Sequence, residues 1–187
     1  MSKIAVLCND GVEEIECLTV VDFCRRAGIE VLTVSVTGKR QIMGAHQICF
    51  HADEVYNDMN FEEFDGIVYP GGPGTGVLGE KPGVKELAQK FLNSGKMLAA
   101  ICAAPGMISE TGILKEKHAT GYPGCNPQGG AIWSEDTAVT DGNLITGKGP
   151  GAAAEFSIAI IRYLEGDAKA DAIPVSYTHL RAHETDS

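Results

Sequence analysis

One cysteine stands where a buried strand gives way to a helix, in the stretch "LAAICAAPG" at 98–106. The apolar run before Cys102 is typical of a buried strand, and Pro105 suits the first turn of a helix. A thiol at a helix N-terminus is exposed to positive partial charge, which lowers its pKa. Ala103 and Ala104 are small and leave the sulfur accessible. We predict a nucleophilic thiol at Cys102, although most free cysteines simply pack as small apolar groups.

A nucleophile needs an acid or base within reach, and "GVEEIE" at 11–16 supplies three carboxyl groups just after the first strand. Acids in the first turn of a helix explain Glu13 and Glu14. Glu16 lies beside the apolar stripe, so we expect it to point inward. A carboxyl beside a thiolate would have a raised pKa and could hold or transfer a proton.

The glycine-rich corner "PGGPG" at 70–74 follows another apolar strand. Adjacent glycines leave backbone N–H groups open, and two such donors can hold an oxyanion. A tight turn with no further role is the alternative. "GTGVLG" at 74–79 matches the dinucleotide pattern but lacks the acid about twenty residues on, and "GNLITGKG" at 142–149 lacks the Ser or Thr of a phosphate loop. We expect no nucleotide cofactor and no metal.

The elements that must position these groups alternate between strands and helices. Strand-like runs cover 3–8, 30–36, 46–53, 66–70, 97–101, 137–140 and 143–146, and helical runs cover 13–28, 84–92, a short stretch after Ala104, and 152–164. This alternation predicts an α/β fold with a mainly parallel sheet. Ligands of such sheets bind beyond the carboxyl ends of the strands, where Cys102, the glycine corner and Glu16 would meet.

The composition of the 187 residues excludes several classes of protein. A net charge of −10 argues against a nucleic acid or an anionic membrane as partner. No apolar run reaches the length of a membrane span, and the first residues do not resemble a signal peptide. The six cysteines show no C-x-x-C spacing, which favours reduced thiols and a cytoplasmic location.

We predict one domain over residues 1–174. The last stretch, "VSYTHLRAHETDS" at 175–187, breaks the composition and periodicity of the rest and resembles non-native read-through, so we assign it no role.

Four motifs occur in the order and spacing of a known family: "GVEEIE", "VYPGGPG", "AAICAAP" and "GKGPGAAAEF". With them the chain resembles the ThiJ/PfpI superfamily over residues 3–165, and within it the branch of the parkinsonism-associated protein deglycase and its bacterial relatives. The resemblance implies a flavodoxin-like three-layer sandwich that forms homodimers. Members of this branch are described as cofactor-free glyoxalases that turn methylglyoxal into lactate, and also as deglycases, chaperones and oxidation sensors.

By motif matching, the resemblance implies that Cys102 is the reactive cysteine and that Glu16 is its protonated partner. The backbone N–H groups of Gly72 and Ala103 would form the oxyanion pocket, with Gly71 beside them. The substrate would be a small aldehyde.

Two departures from the family pattern disfavour a peptidase and leave the site without a pocket histidine. Protease-like members carry a histidine directly after the cysteine, where this chain has Ala103, so a peptidase is the least favoured alternative. The deglycase has a pocket histidine in the segment that matches "KHATGYPG". The residue of this chain at the position of that histidine is Tyr122 in the best match, or Gly121 if the match shifts by one residue. We expect His118 on a strand outside the pocket. Glu16 is then the main acid or base, and a redox-responsive protein or chaperone that uses the same cysteine stays an alternative to an enzyme.

Overall fold

A central sheet flanked by helices organises the computed structural model, which describes residues 1–128 and 130–177. The strands, in chain order, are β1 (Lys3–Cys8), β2 (Glu30–Ser35), β3 (Gln41–Met43), β4 (Cys49–His51), β5 (Glu54–Val55), β6 (Gly66–Tyr69), β7 (Met97–Ile101), β8 (His118–Ala119), β9 (Ile132–Trp133), β10 (Ala138–Asp141) and β11 (Leu144–Gly147). The α-helices are α1 (Glu14–Arg26), α2 (Thr75–Glu80), α3 (Val84–Asn93), α4 (Ala104–Ser109), α5 (Ala153–Glu165) and α6 (Asp167–Tyr177).

The main sheet has seven strands among the described residues, in the order β10-β11-β7-β6-β1-β2-β5. Neighbouring strands pair in parallel except β10, which pairs antiparallel with β11. The strands β1, β6 and β7 lie side by side at the centre, so the loops that follow them meet at one edge of the sheet.

Each face of this sheet is covered by helices. On one face, Phe23 of α1 and Phe156 of α5 belong to one core cluster, together with residues of α6. On the other face, Leu78 of α2, Phe91 of α3 and Ile108 of α4 belong to a second cluster. Strands such as β6 and β7 are buried throughout because both of their faces are covered. The predicted flavodoxin-like three-layer α/β fold is confirmed.

Several boundaries differ from those predicted. The strand expected at 46–53 is instead the second half of a hairpin, β3–β4, because Gln47 adopts a left-handed conformation with φ of 64° and the Gly44 N–H bonds to Ile48. The "GTGVLG" run forms the short helix α2. His118 lies on β8, as expected.

The C-terminal part adds a helix that the sequence analysis did not predict. The helix α6 packs beside α5 and extends three residues into the stretch 175–187. Residues 178–187 lie outside the described residues, so the non-native origin of this stretch stays a prediction. No helix within 1–128 and 130–177 is long and apolar enough to cross a membrane.

Candidate active site

Cys102 occupies the sharp corner between β7 and α4. Its φ of 65° lies in the left-handed region, which costs a non-glycine residue about 1–2 kcal/mol. Two hydrogen bonds hold the corner: the Cys102 N–H donates to the Gly147 carbonyl at 2.9 Å, and its carbonyl accepts from the Tyr122 N–H at 2.8 Å. Strained nucleophile corners of this kind project a reactive side chain above the sheet.

The side chain of Glu16 comes from α1 and is fully buried beside Cys102. Its Oε2 atom accepts a hydrogen bond of 2.8 Å from the Gly71 N–H. Its Oε1 atom is also buried and has no hydrogen-bond partner among the described residues. A buried carboxyl with one open oxygen is well suited to carry a proton, because ionisation there is costly.

The pKa values of the two groups move upward together. Burial raises the pKa of Glu16 to about 7, and the charge of Glu13 adds to the rise. Burial and the Glu16 carboxylate raise the pKa of Cys102 to about 12, while the backbone N–H groups of Gly72 and Ala103 act to lower it. The lowered thiol pKa expected from the helix N-terminus is therefore wrong, because burial and Glu16 raise the pKa more than the N–H groups of Gly72 and Ala103 lower it.

Cys102 and Glu16 consequently act as one titrating pair. When Glu16 is ionised, its negative charge keeps the thiol protonated. When the thiol proton moves to Glu16, that repulsion disappears, and the thiolate keeps the Gly72 and Ala103 N–H groups as donors. The pair can therefore present a thiolate beside a protonated carboxyl without any net change in charge.

Two glycines let the backbone come close to this pair. A Cβ on Gly71 would lie 2.6 Å from the Cys102 Cβ and 2.7 Å from the Glu16 Oε2. Gly72 has φ of 108°, and a Cβ there would lie 2.4 Å from the Glu13 nitrogen. Any side chain at either glycine of the "PGGPG" corner would therefore displace residues of the site, and the oxyanion role of this corner stays a prediction.

A cavity of about 330 Å³ opens above the cysteine. Its lining residues are Glu13, Gly72, Pro73, Cys102, Ala103, Tyr122, Cys125 and Pro150. The structure thus brings four of the predicted site residues to one cavity, and Gly71 and Glu16 contact Cys102 from outside that lining. A larger cavity of about 510 Å³ adjoins it and shares Ala103 and Cys125.

Tyr122 and Gly121, the two candidates for the position of the pocket histidine, differ in their packing. Gly121 is buried, and a Cβ there would lie 2.5 Å from the Asn126 Oδ1 and 3.1 Å from the Cys102 carbonyl oxygen. Tyr122 is half exposed and lines the cavity. The sequence analysis did not single out Glu13, Pro150 or Cys125 as lining residues.

One group among the described residues could hold a metal ion. Glu13, Glu14 and His46 each place one ligand atom within 4.8 Å of the others, at the start of α1. The His46 Nδ1 already contacts the Glu14 Oε2 at 2.9 Å, and this contact raises the pKa of the imidazole. The contacts of the His46 Nδ1 with Glu13 and Glu14 account for the cluster without an ion.

Comparison with known proteins places the chain in a family. The model of the DJ-1/PfpI family matches residues 2–163. The chain belongs to the DJ-1/PfpI family. Protein dj-1beta of Drosophila melanogaster is 36% identical over 174 residues, which cover 90% of this chain and 93% of that protein.

Two further relatives carry names that describe an activity. The glutathione-independent glyoxalase DJR-1.2 of Caenorhabditis elegans is 32% identical over 174 residues, which cover 92% of this chain and 93% of that protein. A deglycase of Pyrococcus abyssi is 31% identical over 154 residues, which cover 80% of this chain and 91% of that protein.

Solved structures of this family agree with the fold. The crystal structure of Drosophila melanogaster DJ-1beta has a TM-score of 0.89 at 34% identity and covers 95% of this chain and 98% of its own. The structure of oxidised Toxoplasma gondii DJ-1 has a TM-score of 0.88 at 27% identity, with coverage of 95% and 98%. The fold and the family are therefore established together.

Proposed function

We propose that the protein is a cofactor-independent enzyme of the glyoxalase or deglycase type, which acts on small reactive aldehydes through Cys102. One observation carries the proposal: a thiol and two backbone N–H donors line one small cavity, and a buried carboxyl with an open oxygen contacts the thiol from behind that lining. Relatives named as a glyoxalase and a deglycase support the same class of reaction.

The proposed reaction with methylglyoxal begins with the Cys102 thiolate. It attacks the aldehyde carbon, an S–C bond forms, and the carbonyl electrons move to oxygen, where the Gly72 and Ala103 N–H groups stabilise the charge. Glu16 gives the proton it took from the thiol to this oxygen, which forms a hemithioacetal, and its carboxylate then removes the proton from the former aldehyde carbon. Glu16 returns that proton to the adjacent carbon while the hydroxyl proton moves to the neighbouring oxygen, which leaves a thioester on Cys102. Water hydrolyses the thioester, so that lactate leaves and the thiol is restored.

The lining of the cavity favours uncharged substrates. Glu13 is its acidic residue, and the lining that the structure describes contains neither lysine nor arginine. A phosphate or carboxylate group on the substrate would therefore face an acid without a compensating cation. We expect a neutral dicarbonyl to react better than a phosphorylated aldehyde of similar size.

The test is lactate formation from methylglyoxal by the chain without residues 175–187, with no metal and no glutathione added. Cys102→Ser and Glu16→Gln should each lose at least about 99% of the turnover, because each removes a group that forms or breaks a bond. Cys24→Ser is the matched control, since Cys24 is also buried but lies in the core of α1. No turnover by the unmodified chain would contradict the proposal.

A redox-responsive role is the second candidate. The same two N–H groups could hold the oxygens of a Cys102 sulfinate, which forms when two peroxide molecules each transfer one oxygen to the sulfur. The Toxoplasma gondii relative was solved in an oxidised form, which favours this candidate. Selective oxidation of Cys102 in a chain that does not turn over methylglyoxal would support it over the enzyme.

We further propose a homodimer in a reducing, cytoplasmic compartment. Four large apolar side chains are exposed near the start of α1: Ile15, Leu18, Met43 and Ile48. Hydrogen bonds from the Gly11 N–H to Met43 and from the Ala45 N–H to Val12 join the β3–β4 hairpin to this end of α1. A second copy of the chain could cover this patch, and a reducing environment would keep the six free cysteines as thiols.

A further inference from the structure

We propose that Cys125 is a resolving thiol, which converts an oxidised Cys102 into an intramolecular disulfide that small thiols can reduce. Both cysteines line the same cavity of about 330 Å³. Cys102 is almost buried at the base, and Cys125 is exposed. The inference rests on the reactivity of Cys102 proposed above, but not on which aldehyde the enzyme uses.

Backbone hydrogen bonds join the turn that ends at Cys125 to Cys102. Residues 122–125 read Tyr-Pro-Gly-Cys, with Gly124 at φ of 87° and the Cys125 N–H bonded to the Tyr122 carbonyl at 3.0 Å. Proline in the second position and a left-handed glycine in the third are the features of a type II turn. Because the Tyr122 N–H donates to the Cys102 carbonyl at 2.8 Å, one end of this turn is fixed to the nucleophile itself.

Close packing fixes the other end of the turn. A Cβ on Gly106 of α4 would lie 1.8 Å from the Cys125 carbonyl oxygen. The chain at Cys125 therefore rests directly on the helix that begins two residues after Cys102. The backbone of the turn is therefore fixed at both ends, at Cys102 and on α4.

The remaining cysteines are placed less well for this reaction. Cys8, Cys17 and Cys24 are fully buried in the core, and Cys49 is exposed on β4 of the separate β3–β4 hairpin. A resolving thiol must be close to the oxidised sulfur and free to approach it. Among the cysteines of the described residues, Cys125 alone shares the cavity with Cys102.

The proposed chemistry needs one peroxide and one reductant. The Cys102 thiolate attacks hydrogen peroxide, the O–O bond breaks, and sulfenic acid forms while the leaving hydroxide takes up the proton that the thiol gave up and departs as water. The Cys125 thiol then attacks the Cys102 sulfur, the S–O bond breaks, and a second water leaves as the disulfide forms. Two equivalents of a small thiol return both cysteines to the reduced state and become a disulfide themselves.

The experiment treats the full reduced chain with a small excess of hydrogen peroxide and measures intact mass and cross-linked peptides. We expect the loss of two hydrogens, a peptide that joins residues 102 and 125, and full reversal by dithiothreitol. In Cys125→Ser the disulfide should be lost and sulfinate at Cys102 should become the main product, which dithiothreitol does not reverse.

Cys49→Ser is the matched control, because it also removes an exposed thiol and should behave like the unmodified chain. Sulfinate at Cys102 with a free Cys125 in the unmodified chain would overturn the resolving role but leave the reactivity of Cys102 intact. If Cys102 stays unmodified while other thiols react, its oxidation and the resolving role of Cys125 both fail, whereas the proposed function still depends on the lactate assay.

Discussion

At the scale of single residues, the site depends on two groups that are each poorly suited to ionise alone. The thiol of Cys102 is held at a pKa of about 12 by burial and by Glu16, and Glu16 itself is raised to about 7. The two groups can nevertheless react if they share one proton, because its transfer from the Cys102 sulfur to a Glu16 oxygen creates the nucleophile and the acid in one step. The open Oε1 atom of Glu16 gives that proton a place to reside.

The rate at which iodoacetamide alkylates Cys102 should report this sharing. Below pH 7 both groups are protonated, and above it the pair holds one proton, so the rate should rise by about tenfold between pH 6 and pH 8 and then level off. In Glu16→Gln only the thiol titrates, so the rise should move toward the ordinary thiol value of 9.0 and reach about a hundredfold over the same interval.

Glu14→Gln serves as the control for this measurement, because it removes a buried acid of the same helix that pairs with His46 instead of Cys102. It should keep the midpoint of the unmodified chain. Identical profiles in the unmodified chain and in Glu16→Gln would show that the two groups titrate independently.

At the scale of secondary structure, the sequence predicted the parts of the site that depend on local pattern. The apolar run of β7, Pro105 and the paired glycines specify a corner and an open backbone without knowledge of the rest of the chain. The direction in which the pKa of Cys102 shifts could not be predicted, because it depends on burial and on a carboxyl from α1. The contact of Cys125 with the cavity also depends on a turn that folds back from a distant segment.

Replacement of Gly72 tests whether the glycine corner after β6 fixes the position of the oxyanion donors. In Gly72→Ala, the left-handed φ alone should lower the free energy of unfolding by about 1–2 kcal/mol, and the overlap with the Glu13 nitrogen should add to the loss. The displaced N–H should also lower turnover, beyond any loss that the reduced stability explains. Urea unfolding and methylglyoxal turnover measure the two effects.

Gly76→Ala is the matched control, because Gly76 lies in α2 and a Cβ there meets nothing within 4 Å. It should leave turnover unchanged and raise stability by up to about 1 kcal/mol. Full turnover in Gly72→Ala would show that the close packing around Gly72 does not control the position of its N–H.

At the scale of the whole molecule, the parallel sheet assembles the site from segments that are far apart in sequence. The loops after β1, β6 and β7 contribute α1 with Glu16, the glycine corner and Cys102 to one edge of the sheet. The exposed apolar patch of Ile15, Leu18, Met43 and Ile48 lies at the same end of α1 as Glu13 and Glu14. A dimer formed there would cover the segment that supplies the carboxyl of the pair.

Sedimentation and light scattering should therefore show a dimer that charged substitutions in this patch dissociate. Ile15→Glu and Ile48→Glu each place a charge on a side chain that is about half exposed in the single chain, at 53% and 52%. Burial of an unpaired charge in an apolar interface should weaken association by about 2 kcal/mol or more, roughly thirtyfold in the dissociation constant.

Ile132→Glu is the matched control, since Ile132 is 49% exposed on β9, away from α1, and should leave the dimer intact. A monomer in all four proteins would exclude the homodimer, and a dimer that only Ile132→Glu dissociates would move the interface to the β8–β9 side. Retained secondary structure by circular dichroism would separate a broken interface from a misfolded chain.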